Sequence, residues 1–414
     1  MLEKLKELNH NIKASFLFTA LQSFGRGIWM GNILSLYVVV LVENSQGILG
    51  LTSNEILGIT AGITGIAMTA IVFPAGYLTD KLRRDKMLRV AGIVGIIAML
   101  ILALAIDLYL IMIALFLWGA FQGITRPAFE SIVADSLPTG NRSGVYAKIH
   151  LVRQFGMASG PVLNILLFFW LGDQWDMEIL RTVMLVGVSI SLLSAIVLFF
   201  FKDDRSMGDE SESIFELEPP DEEVSKQAKK IPILLVASNV IIGMGAGMTV
   251  KFFPVFFRAV YELKPISVQM IMGATFIVTG IAGIVAQKFS VKRGRGEMIF
   301  SVQILATMCL VVIGFYPSLI FLVPLFVLRG SLMNAAQPLS RSILMDVVPK
   351  KNRGKWNSLE TIAWGLFWNA SAVLGGFLIG DNNFQRCFLI TAGIYFVGTI
   401  PILLLIPMVK KETG

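Results

Sequence analysis

The sequence is poor in the side chains from which most enzyme and metal sites are built. Its 414 residues include two cysteines and two histidines, and 15% of the chain is charged. Cys309 and Cys387 both fall inside apolar runs, so they say nothing about redox compartment. His150 is the only histidine within an apolar run; it sits near one end and receives no role. No cluster of metal ligands, nucleophile–base pair or phosphate loop is visible. Gly294-Arg295-Gly296 hints at a phosphate cradle but reads better as a basic turn between two apolar runs. Neither an enzyme, nor a resident metal, nor a cofactor is expected. The N-terminus has no short apolar stretch with a small-residue cleavage site, so no signal peptide is expected to be removed.

What fills the chain instead is apolar surface. At 55% hydrophobic residues and a mean hydropathy of +0.73, it is too apolar for a soluble protein of this length. A helix needs about 20 apolar residues to cross the hydrocarbon core, and the sequence offers roughly a dozen such runs. An all-α integral membrane protein follows.

Residues 1–15 set Leu2, Leu5, Leu8 and Ile12 at helical spacing against Lys4, Lys6 and Lys13, which predicts an amphipathic lead-in on the membrane surface. Six spans are predicted over 16–42, 56–78, 87–106, 109–136, 145–171 and 179–201. Residues 202–230 are rich in Asp, Glu, Ser and Pro, and read as an acidic, flexible linker. Six further spans are predicted over 231–257, 267–289, 298–316, 319–347, 356–379 and 388–409. The two bundles therefore occupy 16–201 and 231–414. The net charge of +7 comes from Lys and Arg in short turns between apolar runs, which fits membrane topology and not nucleic-acid binding. Basic turns alternate with acidic or neutral ones. Both termini and the linker are accordingly expected on the cytoplasmic side of a plasma or inner membrane.

The chain is also a duplication. Residues 115–144 align without a gap onto residues 326–355. Gly119 and Gly330 stand 211 positions apart, as do Pro127 and Pro338, Ser131 and Ser342, and Asp135 and Asp346. Pro138 and Pro349, Asn141 and Asn352, and Arg142 and Arg353 keep the same spacing, which also carries Ala75 to Ala286, Lys81 to Lys292 and Arg84 to Arg295. A shift of 216 aligns Gly27 with Gly243 and Gly31 with Gly247.

Two local motifs make this layout specific. Gly76-Tyr77-Leu78-Thr79-Asp80-Lys81-Leu82-Arg83-Arg84-Asp85-Lys86 resembles the loop signature of the major facilitator superfamily, with Arg83 in place of its second glycine. Gly156-Met157-Ala158-Ser159-Gly160-Pro161 is similar to the Gly-Pro motif of its antiporter branches, with Asn164 where another glycine is expected. Gln122-Gly123 matches part of the fourth-span motif of proton-coupled exporters, although Gly119 occupies its arginine position. The resemblance implies twelve transmembrane helices in two pseudo-symmetric six-helix bundles that work by alternating access. It also implies that Asp80 lies beside the start of the eleventh helix, near Trp356, as a gating residue. Its matched partners in gating are Asp135 and Asp346, with Arg142 and Arg353.

Charges inside the spans carry the functional reading. Arg26, Arg126, Glu130, Arg153, Lys251 and Arg329 all lie within apolar runs. At the bilayer centre each costs about 2.5–3.5 kcal/mol, so each should face water or a partner. Arg26, Arg126 and Arg153 fall at similar depth and are expected to converge on one electropositive cavity that takes a carboxylate, phosphate or sulfonate. Trp29, Trp118, Trp364 and Trp368 are candidate apolar walls, and Tyr37 and Asn334 candidate neutral hydrogen-bonding groups. Pro127, Pro161 and Pro338 mark expected helix bends. Two alternatives stay open: Arg126 and Glu130 as a self-neutralising i, i+4 pair, and Lys251 reaching for the outer interface. The same 211 spacing sets Glu130 opposite Arg341, a possible acid–base latch.

The expected function is secondary transport, by a monomer, of a small organic anion or anionic amphipath, coupled to protons through Glu130. A proton-coupled multidrug exporter and a lipid or lysolipid transporter or scramblase are the alternatives on the same scaffold. Substrate, protons and membrane lipids are the expected partners, and nucleic acid is not.

Overall fold

The structure, a computed structural model, describes residues 9–45, 50–137, 142–206, 230–348 and 350–409. Among these, twelve helical rods account for nearly the whole chain. They are α1 (His10–Asn44), α2 (Ser53–Lys81), α3 (Arg84–Leu104), α4 (Leu108–Asp135), α5 (Arg142–Leu171) and α6 (Met177–Val197). The second set is α7 (Lys230–Tyr261), α8 (Pro265–Arg293), α9 (Arg295–Gly314), α10 (Leu319–Val347), α11 (Lys350–Ile379) and α12 (Phe384–Leu405). Eleven are long and apolar enough to cross a membrane; in α11 the apolar part is the shorter Gly365–Ile379.

Short polar residues set where helices begin. The side chain of Asp107 accepts the Leu110 N–H at the head of α4, and that of Asp176 accepts the Glu178 and Ile179 N–H groups at the head of α6. Such caps satisfy amides that have no partner within the helix. Between α8 and α9 the turn is reduced to Gly294, at φ +105°, where a Cβ would run into the Glu297 carboxylate. Only glycine takes that backbone without strain, so Gly294 alone makes the turn and Arg295 and Gly296 open α9.

The lead-in expected on the membrane surface is, from His10 on, the first turns of α1. Asn9 caps that helix by accepting the Asn11 N–H, and Asn11, Ile12, Ala14 and Ser15 are buried against protein. Helical periodicity is the same for a surface helix and for the first turns of a span, so the pattern alone does not separate them. The prolines at 127, 161 and 338 lie inside continuous helices.

The chain forms two compact units, one of Met1–Ile48 with Thr60–Pro219, the other of Leu49–Ile59 with Pro220–Gly414. The first turns of α2 thus belong to the second unit, where the buried Asn54 amide donates to Gly380 O at 2.9 Å and Asn382 Oδ1 at 3.0 Å. Inside the first unit α1 packs on α5 and α6, and α3 on α4 and α6. Inside the second, α7 packs on α11 and α12, and α9 on α10 and α12. The duplication read in the sequence is therefore a duplication of packing.

Glycines make the closest of these contacts possible. On α5, a Cβ at Gly160 would fall on the backbone of Gly27, and one at Gly156 on Ser23. The matching seam in the second unit sets Gly247 against the Trp368 carbonyl and Ser371, and Gly375 against Met248. Close backbone approach through small residues is the usual solution where lipid supplies no hydrophobic drive between helices.

Candidate functional site

Both seam helices lose regular α-geometry near their middle. In α1 the residues Trp29–Ile33 form a π turn, and in α7 Val250–Phe252 form a 3₁₀ turn just before Pro254. Such irregularities cluster at functional sites. Asn164, standing where the motif expects glycine, donates its amide to the carbonyl of Ile28, the residue before the π turn, at 3.1 Å. The side chain thus serves a backbone carbonyl at the point where the helix is distorted.

Arg26 lies three residues before this break. The Arg26 side chain is half-buried, its Nε has no hydrogen-bond partner, and the like charges of Arg153 and Arg126 bear on it. The Arg126 guanidinium meets the Glu130 carboxylate at 3.7 Å on the same helix face, with Glu130 61% exposed. That contact is long, and its acid is open to solvent. Arg153, on α5, is exposed. Arg26, Arg126 and Arg153 thus bring positive charge to this part of the unit, with Glu130 beside Arg126.

Two residues expected beside them point elsewhere. Trp29 is fully buried, donating its indole N–H to Ser191 Oγ at 2.9 Å and packing edge-on to Trp118 at 5.4 Å. Tyr37 is 1% exposed. For Tyr37 the π turn offers a reason: one extra residue per turn rotates the following face by about 100° relative to a regular helix. No helical wheel drawn from the sequence contains that rotation.

In the second unit the expected cations separate. Arg329 lies in the packed interior, 4% exposed, and donates to the Tyr395 hydroxyl at 2.6 Å and to Thr249 Oγ1 at 3.4 Å. Its Cζ stands 5.1 Å from the Phe253 ring centroid and 5.6 Å from that of Tyr395, and its Nε has no partner. The position 211 residues earlier is Trp118, fully buried between Trp29 and Phe121. In both units this is a core position, and ring faces replace a carboxylate as the cation's company. Lys251, on the 3₁₀ turn of α7, donates to Asn369 Oδ1 on α11 at 3.0 Å. Asn334 is exposed and donates to the Gly330 carbonyl at 2.8 Å, and Arg341 is exposed near the end of α10.

At the end of the first unit that carries the α2–α3 turn, Asp135 meets the Arg84 guanidinium at 2.6 Å. The side chains of Asp80, Arg142, Asp346, Arg353, Trp356 and Trp364 lie outside the described residues. Glu360, an acid that the count of span charges omitted, sits ten residues into α11; its side chain is likewise outside them. Sequence reading also passed over Ser191, Asn369 and Tyr395. Each is a polar residue inside an otherwise apolar run, which was the available signal.

Two duplicated bundles of long apolar helices, with glycine seams and basic residues within the spans, define a multi-pass membrane transporter. The model of the Major Facilitator Superfamily matches residues 15–330 and 235–414, and the chain belongs to that superfamily. Over 200 residues, 46% of this chain and 42% of the relative, it is 26% identical to a Na(+), Li(+), K(+)/H(+) antiporter of Planococcus maritimus. Over 197 residues, 47% of this chain and 36% of the relative, it is 22% identical to a triacylglyceride transporter of Mycolicibacterium hassiacum. The chain thus spans less than half the length of either relative. Among solved structures, a bacterial homologue of the human lysosomal transporter Spinster, inward-facing and occupied, superposes with a TM-score of 0.71 over 97% of each chain at 13% identity. That likeness concerns the fold.

Proposed function

We propose that this transporter moves a small organic anion, or an amphipath with an anionic head, by alternating access coupled to protons. The observation that carries the reading is the gathering of Arg26, Arg126 and Arg153 in the first unit, with Glu130 as the acid held against them. An anionic group that binds Arg126 competes with Glu130 for the guanidinium. In this reading Glu130 is the proton-coupling acid, and the anion and the proton meet at one ion pair. The relative named as an antiporter against protons supports the coupling and says nothing of the anion. Asp80, Asp135, Arg142, Arg341, Asp346 and Arg353 are the gating residues of this reading, and both termini face the cytoplasm.

A second reading, lipid or lysolipid movement, is favoured by the relative named as a triacylglyceride transporter. Sealed vesicles holding the purified protein separate the two. With a pH gradient imposed, an organic anion should accumulate above its outside concentration, and should stop doing so when the gradient is collapsed. Equilibration of labelled lipid between leaflets, with no gradient-dependent accumulation, would replace the first reading by the second.

A further inference from the structure

The breaks in α1 and α7 occupy the same place in their two units. Gly25 and Gly245 stand 220 positions apart, as do Gly27 and Gly247. A Cβ at Gly25 would meet Ser191 on α6, and one at Gly245 the ring of Tyr395 on α12. A Cβ at Gly27 would meet Met157 on α5, and one at Gly247 would meet Trp368 on α11, two residues that keep the 211 spacing. Contact therefore pairs these glycines one turn away from their match in sequence. It sets Trp29, which opens the π turn, level with Thr249, which precedes the 3₁₀ turn. Each break is braced from the fourth and sixth helices of its unit, by Trp118 and Ser191 in the first and by Arg329 and Tyr395 in the second.

The two braces differ in strength. In the first unit the Trp29 indole donates to Ser191 Oγ at 2.9 Å, its ring packs on Trp118, and the Asn164 amide holds the Ile28 carbonyl at 3.1 Å. Gly375 stands in the place of Asn164 in the second unit and has no side chain to offer. The matching carbonyl, that of Met248, accepts instead from the Cys387 thiol, a weak donor, at 3.3 Å. Arg329 is fastened to the Tyr395 hydroxyl at 2.6 Å but reaches Thr249 Oγ1 only at 3.4 Å, a long hydrogen bond. On either side of this loose point α7 is firmly packed. Before it lies the glycine seam with α11; beyond it Phe253 stands 4.7 Å from Phe326 and 4.9 Å from Phe388, ring to ring. Two packed segments joined by a few weakly held residues make a hinge. We infer that α7 flexes at its 3₁₀ turn while α1 stays rigid at its own break, and that Arg329 is the pin of the hinge. Tied to α12 through Tyr395, its guanidinium touches α7 on both sides of the turn, at Thr249 and at the Phe253 ring 5.1 Å away. The inference does not depend on what is carried.

Distances between paired nitroxide labels, measured in lipid nanodiscs, test it. One pair, Ile233→Cys with Ala259→Cys, brackets the break in α7; the other, Leu17→Cys with Asn44→Cys, brackets the break in α1. All four positions are exposed, and the native Cys309 and Cys387 are buried. With no further change, the α7 pair should give two distances and the α1 pair one. Tyr395→Phe removes only the hydroxyl that holds the guanidinium. It should raise the ratio of the second α7 population to the first by roughly tenfold and leave α1 unchanged. Arg329→Lys keeps a cation at the pin and should raise that ratio less than Arg329→Met. A single α7 distance in the otherwise wild-type protein would overturn the hinge, and two distances of similar weight in α1 would overturn the contrast between the units. A second α7 population that Tyr395→Phe leaves unchanged would remove Arg329 as the pin. Should an Arg329 variant fail to insert, Tyr395→Phe decides alone.

Discussion

The Arg84 guanidinium reaches the Asp135 carboxylate at 2.6 Å, tying the first residue of α3 to the last of α4. Asp203 joins them, accepting the Arg84 backbone N–H at 3.2 Å and standing 3.7 Å from its guanidinium. Beside them, hydrogen bonds from Arg83 to Asp85 and then to Asp204 push the Arg83 pKa above its ordinary value. Arg84 and Asp135 are 211 residues before Arg295 and Asp346, so the same helix ends carry the same residue types in the second unit. There Arg295 donates to Ser342 Oγ at 2.6 Å.

Breaking the first of these pairs should have a modest effect that salt can mask. Arg84 and Asp135 are 35% and 21% exposed, so solvent screens their attraction. Asp135→Asn is expected to lower stability by about 1 kcal/mol at low ionic strength. Melting in detergent at low and high salt checks it, and a loss of equal size at both would assign the effect to something other than charge.

Asn11 should matter more than its size suggests. Its amide donates to Lys202 O at 2.9 Å and Ser136 Oγ at 3.1 Å, while its oxygen accepts the Lys202 N–H at 3.0 Å. With His10 on Phe200 O and Asn9 on Arg205 O, it holds the chain that follows α6 against the head of α1. Asn11→Ala leaves buried backbone groups unpaired, a loss of about 1–3 kcal/mol. Limited trypsin digestion should then cut after Lys202 or Arg205 several-fold faster, and unchanged cleavage would show that the strap does not depend on Asn11.

The glycine seams make a sharper contrast. Gly160→Leu would force α5 away from Gly27 and should cost about 1–3 kcal/mol or prevent assembly of the first unit. Gly393→Ala, on α12, meets nothing within 4 Å and should stabilise by up to about 1 kcal/mol. Equal melting temperatures for the two variants would contradict the seam.

Much of this architecture was legible because the bilayer imposes long apolar helices and because the duplication repeats backbone-special residues. Gly160 and Pro161 were legible as a motif, but not the helix they meet: Gly160 lies against Gly27 of α1. The direction of side chains was not legible where a helix departs from α-geometry. The π turn at Trp29–Ile33 rotates the face that carries Tyr37, and Trp29, at its start, is held in the core by Ser191 and Trp118. Arg329 misled for a different reason. A lone cation in an apolar run looks the same whether water or aromatic rings surround it, and the partner that settles the matter, Tyr395, is 66 residues away. Glu130 fared otherwise: Arg126 four residues before it was a local signal, and the structure holds the two at 3.7 Å.

Whether Glu130 also acts on the second unit is a separate question with its own test. Its counterpart by the 211 spacing is Arg341, and the sequence alone raised the expectation of an acid–base latch. Glu130→Arg and Arg341→Glu should each reduce transport, and the double exchange should recover part of it. A double variant no better than either single one, with all three inserted normally, would leave Glu130 serving Arg126 alone.

The central claim is that the arginines of the first unit bind the anionic group being moved, and Arg26 is its most direct test. Pulse uptake of benzenesulfonate under an imposed pH gradient should be compared in vesicles holding equal amounts of inserted wild type and Arg26→Gln. Losing one charged contact of about 1.5–3 kcal/mol predicts a fall in initial rate of roughly ten- to a hundredfold. The variant should retain wild-type insertion and melting. Wild-type uptake that responds to the gradient and is matched by Arg26→Gln would contradict the account.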